Sequence, residues 1–182
     1  MSNLFLVEIV PTASQRDALA LLTDLDSRAR AHDAQLIEAQ VTADQSRLFA
    51  IIEADTTDTV AALLEGLDAE VAADPALVRL VGAELDDIKA ARPEAGYLVE
   101  WDIPSHIDMD TYLTRKAEKT PLYANVPEVD FLRTYVREDM AKCLCFYNGP
   151  DEAAVERARA AVSTPIDRLH QLAQIQLAEE PA

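Results

Sequence analysis

Leu36-Ile37-Glu38-Ala39-Gln40-Val41 and Leu48-Phe49-Ala50-Ile51-Ile52 recur, in order and spacing, as Phe131-Leu132-Arg133-Thr134-Tyr135-Val136 and Cys143-Leu144-Cys145-Phe146-Tyr147. Both pairs are offset by 95 residues, so nothing is inserted between them in either copy. Ahead of them, Phe5-Leu6-Val7-Glu8 recurs as Tyr97-Leu98-Val99-Glu100 at an offset of 92. Self-similarity at a fixed period is the mark of a repeated structural unit. Short apolar strands also resemble one another by chance, but shared order, spacing and turn positions favour a duplication.

Each half reads as strand, helix, strand, strand, helix, strand. In the first half a strand over Leu4 to Val10 ends at Pro11. Ser14 is placed to cap a helix whose apolar positions Ala18, Leu21, Leu22 and Leu25 follow i, i+3, i+4, i+7. Two strands follow, joined by a polar turn around Ala43 to Ser46. Thr57 or Asp58 is placed to cap a second helix through Val60, Leu63, Leu64 and Leu67, and Leu77 to Leu85 is the expected last strand. Ala90 to Gly96 has the composition of a linker. In the second half a strand over Tyr97 to Ile103 stops at Pro104, and a helix from Asp108 to Lys119 stops near Pro121. Two strands flank Glu138 to Ala141, a helix covers Asp151 to Val162, and a final strand is expected over His170 to Leu177.

This order defines an α+β chain of two tandem ferredoxin-like (βαββαβ) repeats, residues 1–90 and 96–178. Such a unit makes a four-stranded antiparallel sheet with both helices on one face. The other face has no cover from its own unit. Two repeats can pack those faces together, sheet to sheet, as a pseudo-dimeric α+β barrel.

Strand alternation nominates the residues on the uncovered face. In the second half these are Glu100, Asp102, Phe131, Arg133, Tyr135, Cys143, Cys145 and Tyr147, with Leu144 and Phe146 turned to the helices. In the first half they are Glu8, Leu36, Glu38, Gln40, Ala50 and Ile52. Buried acids are costly unless paired, and Arg133 is the expected partner of Glu100 or Glu38. The chemistry is uneven: the second half holds both Cys, two of the three His and eight of the ten aromatic residues. Any activity is therefore expected there.

Composition narrows the partners. The 182 residues carry 33 Asp and Glu against 16 Lys and Arg, a net charge of −17. A chain this acidic lacks the basic surface that nucleic acids and anionic membranes demand. No apolar run approaches the roughly 20 residues of a membrane span. The N-terminus has no cationic targeting segment, and two cysteines two residues apart are no disulfide framework. A reducing, cytoplasmic setting is the expectation.

Cys143 and Cys145, with Glu100 or a histidine, offer soft and borderline ligands for nickel or zinc. His106 lies among Asp102, Asp108 and Asp110, a grouping suited to a divalent cation. Equally, Ser105 or Asp108 suits the N-cap of the next helix. His32 and His170 have no evident partners, and Asp86, Asp87 and the acids of 68–74 read as solvated surface. There is no glycine-rich phosphate loop, nucleophile elbow or HExxH helix.

The second half also resembles a family of small ferredoxin-like domains known as nickel-binding-protein-like, of otherwise unknown function. The resemblance rests on Tyr97-Leu98-Val99-Glu100, Tyr135-Val136, Lys142-Cys143-Leu144-Cys145-Phe146-Tyr147, Gly149-Pro150-Asp151-Glu152-Ala153-Ala154-Val155 and Pro165-Ile166-Asp167-Arg168-Leu169. It spans Tyr97 to Leu172. It implies a ferredoxin-like homodimer and bound nickel, and carries over Glu100, Tyr135 and Cys145 by position. Members often have a histidine where this chain has Arg133.

Three functional readings follow. The first is a small binding protein for a transition metal (nickel or zinc through Cys143, Cys145, His106 and Asp102) or for a small molecule held by Glu8, Glu38, Gln40 and Tyr147. The second is an enzyme like the cofactor-independent monooxygenases or isomerases. There Glu100, raised in pKa by burial, is the base, while Arg133 and Tyr135 hold an anion. The third is a dimerisation or assembly module.

Overall fold

A computed structural model of the chain describes residues 2–11, 18–91 and 94–173. The chain divides into two compact units. One runs to Val78 and resumes at Ile88, and the other joins Arg79–Asp87 to Glu94–Leu172. The described residues form a mixed α/β protein with five α-helices and antiparallel strand pairing in both units.

The first unit contains β1 (Asn3–Pro11), α1 (Ala18–Ala31), β2 (Gln35–Thr42), β3 (Leu48–Ala54), α2 (Thr57–Leu64) and β4 (Ala69–Val71). Central β1 pairs with β3 along one edge, and β2 pairs with the far edge of β3. The other edge of β1 is shared. β4 takes Ile9–Pro11, and the start of β5 (Ala76–Val81) takes Leu4–Leu6. α1 buries Ala18, Leu21, Leu22, Leu25 and Ala29, one stripe of a helix seated on a sheet. The expected cap Ser14 lies outside the described residues. α2 is capped one residue earlier than expected: Thr56 is extended, and its hydroxyl accepts from the Thr59 amide at 3.1 Å.

The strand expected over Leu77 to Leu85 is a correction. β5 ends at Val81, and α3 (Leu85–Ala91) follows. Gly82 explains the break. Its φ of +87° suits glycine, and a Cβ there would stand 3.0 Å from the Phe131 ring. Asp86 and Asp87 then occupy the first turn of α3 and Lys89 the last, each at the end its charge favours.

The second unit contains β6 (Tyr97–Asp102), α4 (Met109–Lys119), a 3-10 segment (Thr120–Asn125), β7 (Asp130–Arg137), β8 (Lys142–Asn148), α5 (Glu152–Ala161) and β9 (Arg168–Ala173). Central β6 lies between β8 and β9, and β7 pairs with β8. Pro121 sits at the start of the 3-10 segment, where its missing N–H ends the α-helical ladder. Residues 174–177 of the expected last strand lie outside the described residues.

The two units agree in detail at the offset of 95. Thr42 accepts from the Gln45 amide, and Arg137 accepts from the Met140 amide; Gln45 and Met140 both have positive φ. Thr56 caps α2, and Asp151 caps α5. A register shift lies between Leu36 and Glu38 in β2, and another between Phe131 and Arg133 in β7.

Those shifts overturn part of the expected face assignment. In a regular strand Phe131 and Arg133 share a face. Here Leu132 is the extra residue of a bulge, so Phe131 opposes Tyr147 while Arg133 opposes Phe146, on opposite faces. Leu36 likewise turns to the helix side of its own sheet. The third strand of each unit was assigned the wrong way round. Cys143, Cys145 and Tyr147 pack with Tyr112, Ala154, Val155 and Ala158 of the helices, whereas Leu144 and Phe146 lie on the other face with Glu100 and Tyr135. Ala50 and Ile52 are also on the helix side, leaving Phe49 and Ile51 opposite. Apolarity misled the assignment because both faces of these strands are buried, so hydrophobic pattern does not distinguish them.

A cation-lined cavity with two cysteines

The face correction moves both cysteines into the space between sheet and helices of the second unit. A cavity of about 260 Å³ opens there, lined from β6, α4, the 3-10 segment, β8 and α5. Its wall is mostly apolar and carries Trp101, Ile107, Tyr112 and Tyr123 along with Cys143 and Cys145. Four of its lining residues are Arg115, Lys116, Lys119 and Arg159, and none is Asp or Glu. In a chain with twice as many acids as bases, an acid-free wall bearing four cations is a local reversal of charge.

Arg159 is the deepest of the four, 3 % exposed. It sits in the last turn of α5, so its guanidinium points past the helix end towards β8. Nη2 donates to the Pro165 carbonyl at 2.6 Å. Nη1 donates to the Tyr147 hydroxyl at 3.2 Å and to Cys145 Sγ at 3.6 Å. Its Nε is buried with no hydrogen-bond partner. Burial of a guanidinium is expensive without a counter-charge, and none of these partners is a carboxylate.

The nearest group able to carry a counter-charge is sulfur. Cys145 Sγ accepts from Arg159 Nη1 and from Thr134 Oγ1 at 3.2 Å, and it shares a hydrogen bond with Cys143, whose Sγ is 3.9 Å away and either of whose sulfurs can donate. The Cys143 hydrogen bond pulls the Cys145 thiol well below its ordinary value; burial opposes this, and the charges of Lys116 and Arg159 reinforce it. Cys143 is pushed up, first by that same bond and then by burial. One hydrogen bond thus shifts the two thiols in opposite directions, Cys145 down and Cys143 up. Tyr147, fully buried, lies with its hydroxyl 2.7 Å from that of Tyr123, and burial raises it well above the ordinary tyrosine range.

Glu100 stands on the opposite face of the same sheet. It is 3 % exposed and accepts from Lys142 Nζ at 2.7 Å, Arg168 Nε at 2.8 Å and His170 Nε2 at 2.8 Å. Burial alone would raise this carboxyl. The bonds from His170, Lys142 and Arg168 outweigh it and lower the group to about 2. This corrects two expectations. Glu100 is a poor base rather than one raised by burial, and its guanidinium partner is Arg168, directly across the β6–β9 ladder, rather than Arg133. Arg133 is buried with its guanidinium 4.8 Å from the Phe146 ring. Arg168, Lys142 and His170 escaped the sequence reading; Arg168 opposes Glu100 on β9, Lys142 opposes Asp102 on β8 and His170 opposes Leu98, pairings legible only once both neighbours of β6 are placed.

The remaining expected residues fall apart from one another. Asp102 pairs with Arg168 at 2.6 Å. Asp108 caps α4, accepting from the Thr111 amide at 2.8 Å, while exposed His106 lines the cavity mouth. Glu8, Glu38 and Gln40 are buried on the face of the first unit away from its helices, Glu8 and Gln40 both opposite Phe49 and Glu38 opposite Ile51. Tyr135, fully buried, opposes Leu144.

Residues 97–172 match the model of a family described as SCO4226-like, nickel responsive protein. The matched span is the second unit from β6 to β9, where the sequence resemblance was found. No curated protein matches the chain. Solved structures similar to it include a candidate chlorite dismutase, 14% identical with a TM-score of 0.51 over 96% of both chains. A candidate monooxygenase from Lactobacillus acidophilus is 9% identical, with a TM-score of 0.52 over 95% of this chain and 94% of its own. Another from Fusobacterium nucleatum is 9% identical, with a TM-score of 0.50 over 94% of this chain and 91% of its own. At these identities the likeness is one of fold.

The donor set was tested against a resident nickel or zinc ion. Among the described residues no three His, Cys, Asp or Glu side chains converge. Asp102 and Cys143 belong to opposite faces, and the charges nearest Cys145 are cations. Two sulfurs beside a guanidinium do not fit a divalent ion, which needs four or more donors and repels neighbouring positive charge.

Proposed function

We propose that the second unit is a binding module for a small organic anion with an apolar body. The observation that carries this reading is Arg159: a guanidinium 3 % exposed, at the wall of an acid-free cavity, with an unpartnered Nε. A carboxylate or sulfonate in the cavity would give this buried guanidinium a full counter-charge, and charge-assisted contacts of this kind are the strong ones. Lys116, Lys119 and Arg115 extend the positive field towards the mouth, while Trp101, Ile107 and Tyr112 suit an apolar or aromatic body.

Benzoate and octanoate, compared with neutral benzamide, test the reading by calorimetry and thermal shift. The anions are expected to bind and raise Tm, and benzamide to do neither. Arg159→Leu is expected to weaken binding at least tenfold, about 1.4 kcal/mol. Equal binding of benzamide would sink the anion reading. A nickel arm covers the property in the family's description: stabilisation by nickel that disappears in Cys145→Ala would replace the anion by a metal.

The two units are read as a tandem duplication of one ferredoxin-like unit. The supports are the shared bulge, turn and cap at one offset, and the equivalent strand order β9-β6-β8-β7 beside β4-β1-β3-β2. Partial proteolysis and expression of the halves would test whether each folds alone.

A further inference from the structure

We propose that Cys145 is the nucleophile of a covalent site for soft electrophiles that carry a negative charge. The inference rests on the anion reading of the cavity and adds to it a chemical step. A buried cysteine usually behaves as a small apolar side chain packed by other apolar groups. Cys145 is packed otherwise. Its sulfur faces a guanidinium at 3.6 Å, a hydroxyl at 3.2 Å and a second sulfur at 3.9 Å, each able to donate a hydrogen bond to it. A guanidinium and a hydroxyl that donate to the sulfur, with a second thiol able to do so, stabilise the thiolate, the form that reacts. The same residue lines the cavity, so an occupant held by Arg159 lies beside the sulfur.

The position equivalent to Cys145 in the first unit is Ala50, buried in the core with Leu48 and Ile52. Cys143 is Leu48 there, and Arg159 is Leu64. The sulfur pair and the guanidinium are therefore present together in one unit and absent together from the other. A shared purpose accounts for that pattern better than three separate packing choices.

The step is simple in its balance. With a haloacetate, the Cys145 thiolate attacks the methylene carbon, the C–S bond forms, and the carbon–halogen bond breaks with its electron pair leaving on the halide. With an α,β-unsaturated carboxylate, the sulfur bonds to the β carbon and the π pair moves to the α carbon. That carbon then takes the proton held on Cys143. Neither step needs an oxidant or reductant.

Iodoacetate and iodoacetamide test this on the intact chain, followed by whole-protein mass and peptide mapping. An ordinary exposed thiolate shows no preference for the anionic reagent. Here folded protein is expected to gain one carboxymethyl group, on Cys145, with iodoacetate at least tenfold faster than iodoacetamide. Benzoate should slow the reaction, and Arg159→Leu should erase the preference. Cys145→Ser should remove the adduct, while Cys143→Ser keeps the site of modification. Modification only after denaturation would overturn the nucleophile and leave benzoate binding standing. Equal rates for the two reagents, or an adduct on Cys143 instead, would also overturn it.

Discussion

The two units put the same backbone to different uses. At equivalent positions the first has Leu48, Ala50, Ile52 and Leu64 where the second has Cys143, Cys145, Tyr147 and Arg159. The first closes its helix–sheet interface with aliphatic side chains. α1 contributes four residues that are at most 2 % exposed and Ala29 at 0 %, whereas the equivalent α4 buries Tyr112 alone. The second leaves a cavity and lines it with cations and sulfur. The difference teaches that one order of strands and helices carries a costly polar interior in one unit and ordinary apolar packing in the other.

The largest expected effect comes from exchanging the deciding residue. Leu64→Arg would bury a charge in the apolar core of the first unit, where the position equivalent to Cys145 is Ala50. It is expected to cost about 3–5 kcal/mol in urea unfolding. The reverse change made to the pair as a whole, Arg159→Leu with Cys145→Ala, should lie within about 1 kcal/mol of the parent, because apolar groups replace a complete buried charge pair at little net cost. Equal costs in the two units would break the comparison.

A smaller effect is expected on the other face of the second unit. Glu100 falls from an ordinary 4.5 to about 2 on folding. A depressed carboxyl contributes stability that is fully present above its unfolded value and lost as pH falls through its folded value. Stability should therefore drop between about pH 4.5 and 2. Glu100→Gln should cost about 3 kcal/mol at pH 7 and flatten that acid limb in pH-dependent urea melts. An unchanged acid limb would show that the Lys142, Arg168 and His170 contacts do not hold the carboxylate.

The smallest effect sharpens the likeness rather than the difference. Thr56→Ala and Asp151→Ala each remove one helix N-cap and should each cost about 1 kcal/mol. Matched losses would mean that the caps work alike in both units. A loss confined to Asp151→Ala would mean that α2 depends on its packing instead.

Much of this was legible in residue order. The offset of 95 located every element from β2 to α2 and from β7 to α5, and the apolar stripe of α1 emerged at the expected positions. The uneven chemistry pointed to the second half, and the family match spans residues 97–172. The side-chain faces were not legible. A bulge of one residue in β2 and β7 moves Leu36 and Phe131 across the sheet, and no residue type announces it. Strands buried on both faces carry no alternation to correct the error.

The sequence by itself determined the constant spacing of its similar segments and the alternation of strands and helices, because these depend on position along the chain. Only the tertiary structure decided that Cys145 meets Arg159, 14 residues away, and that Glu100 meets Arg168, 68 away. Those encounters depend on register and on the direction of each side chain. Both are settled by packing, where one inserted residue reverses a face that local preference leaves open.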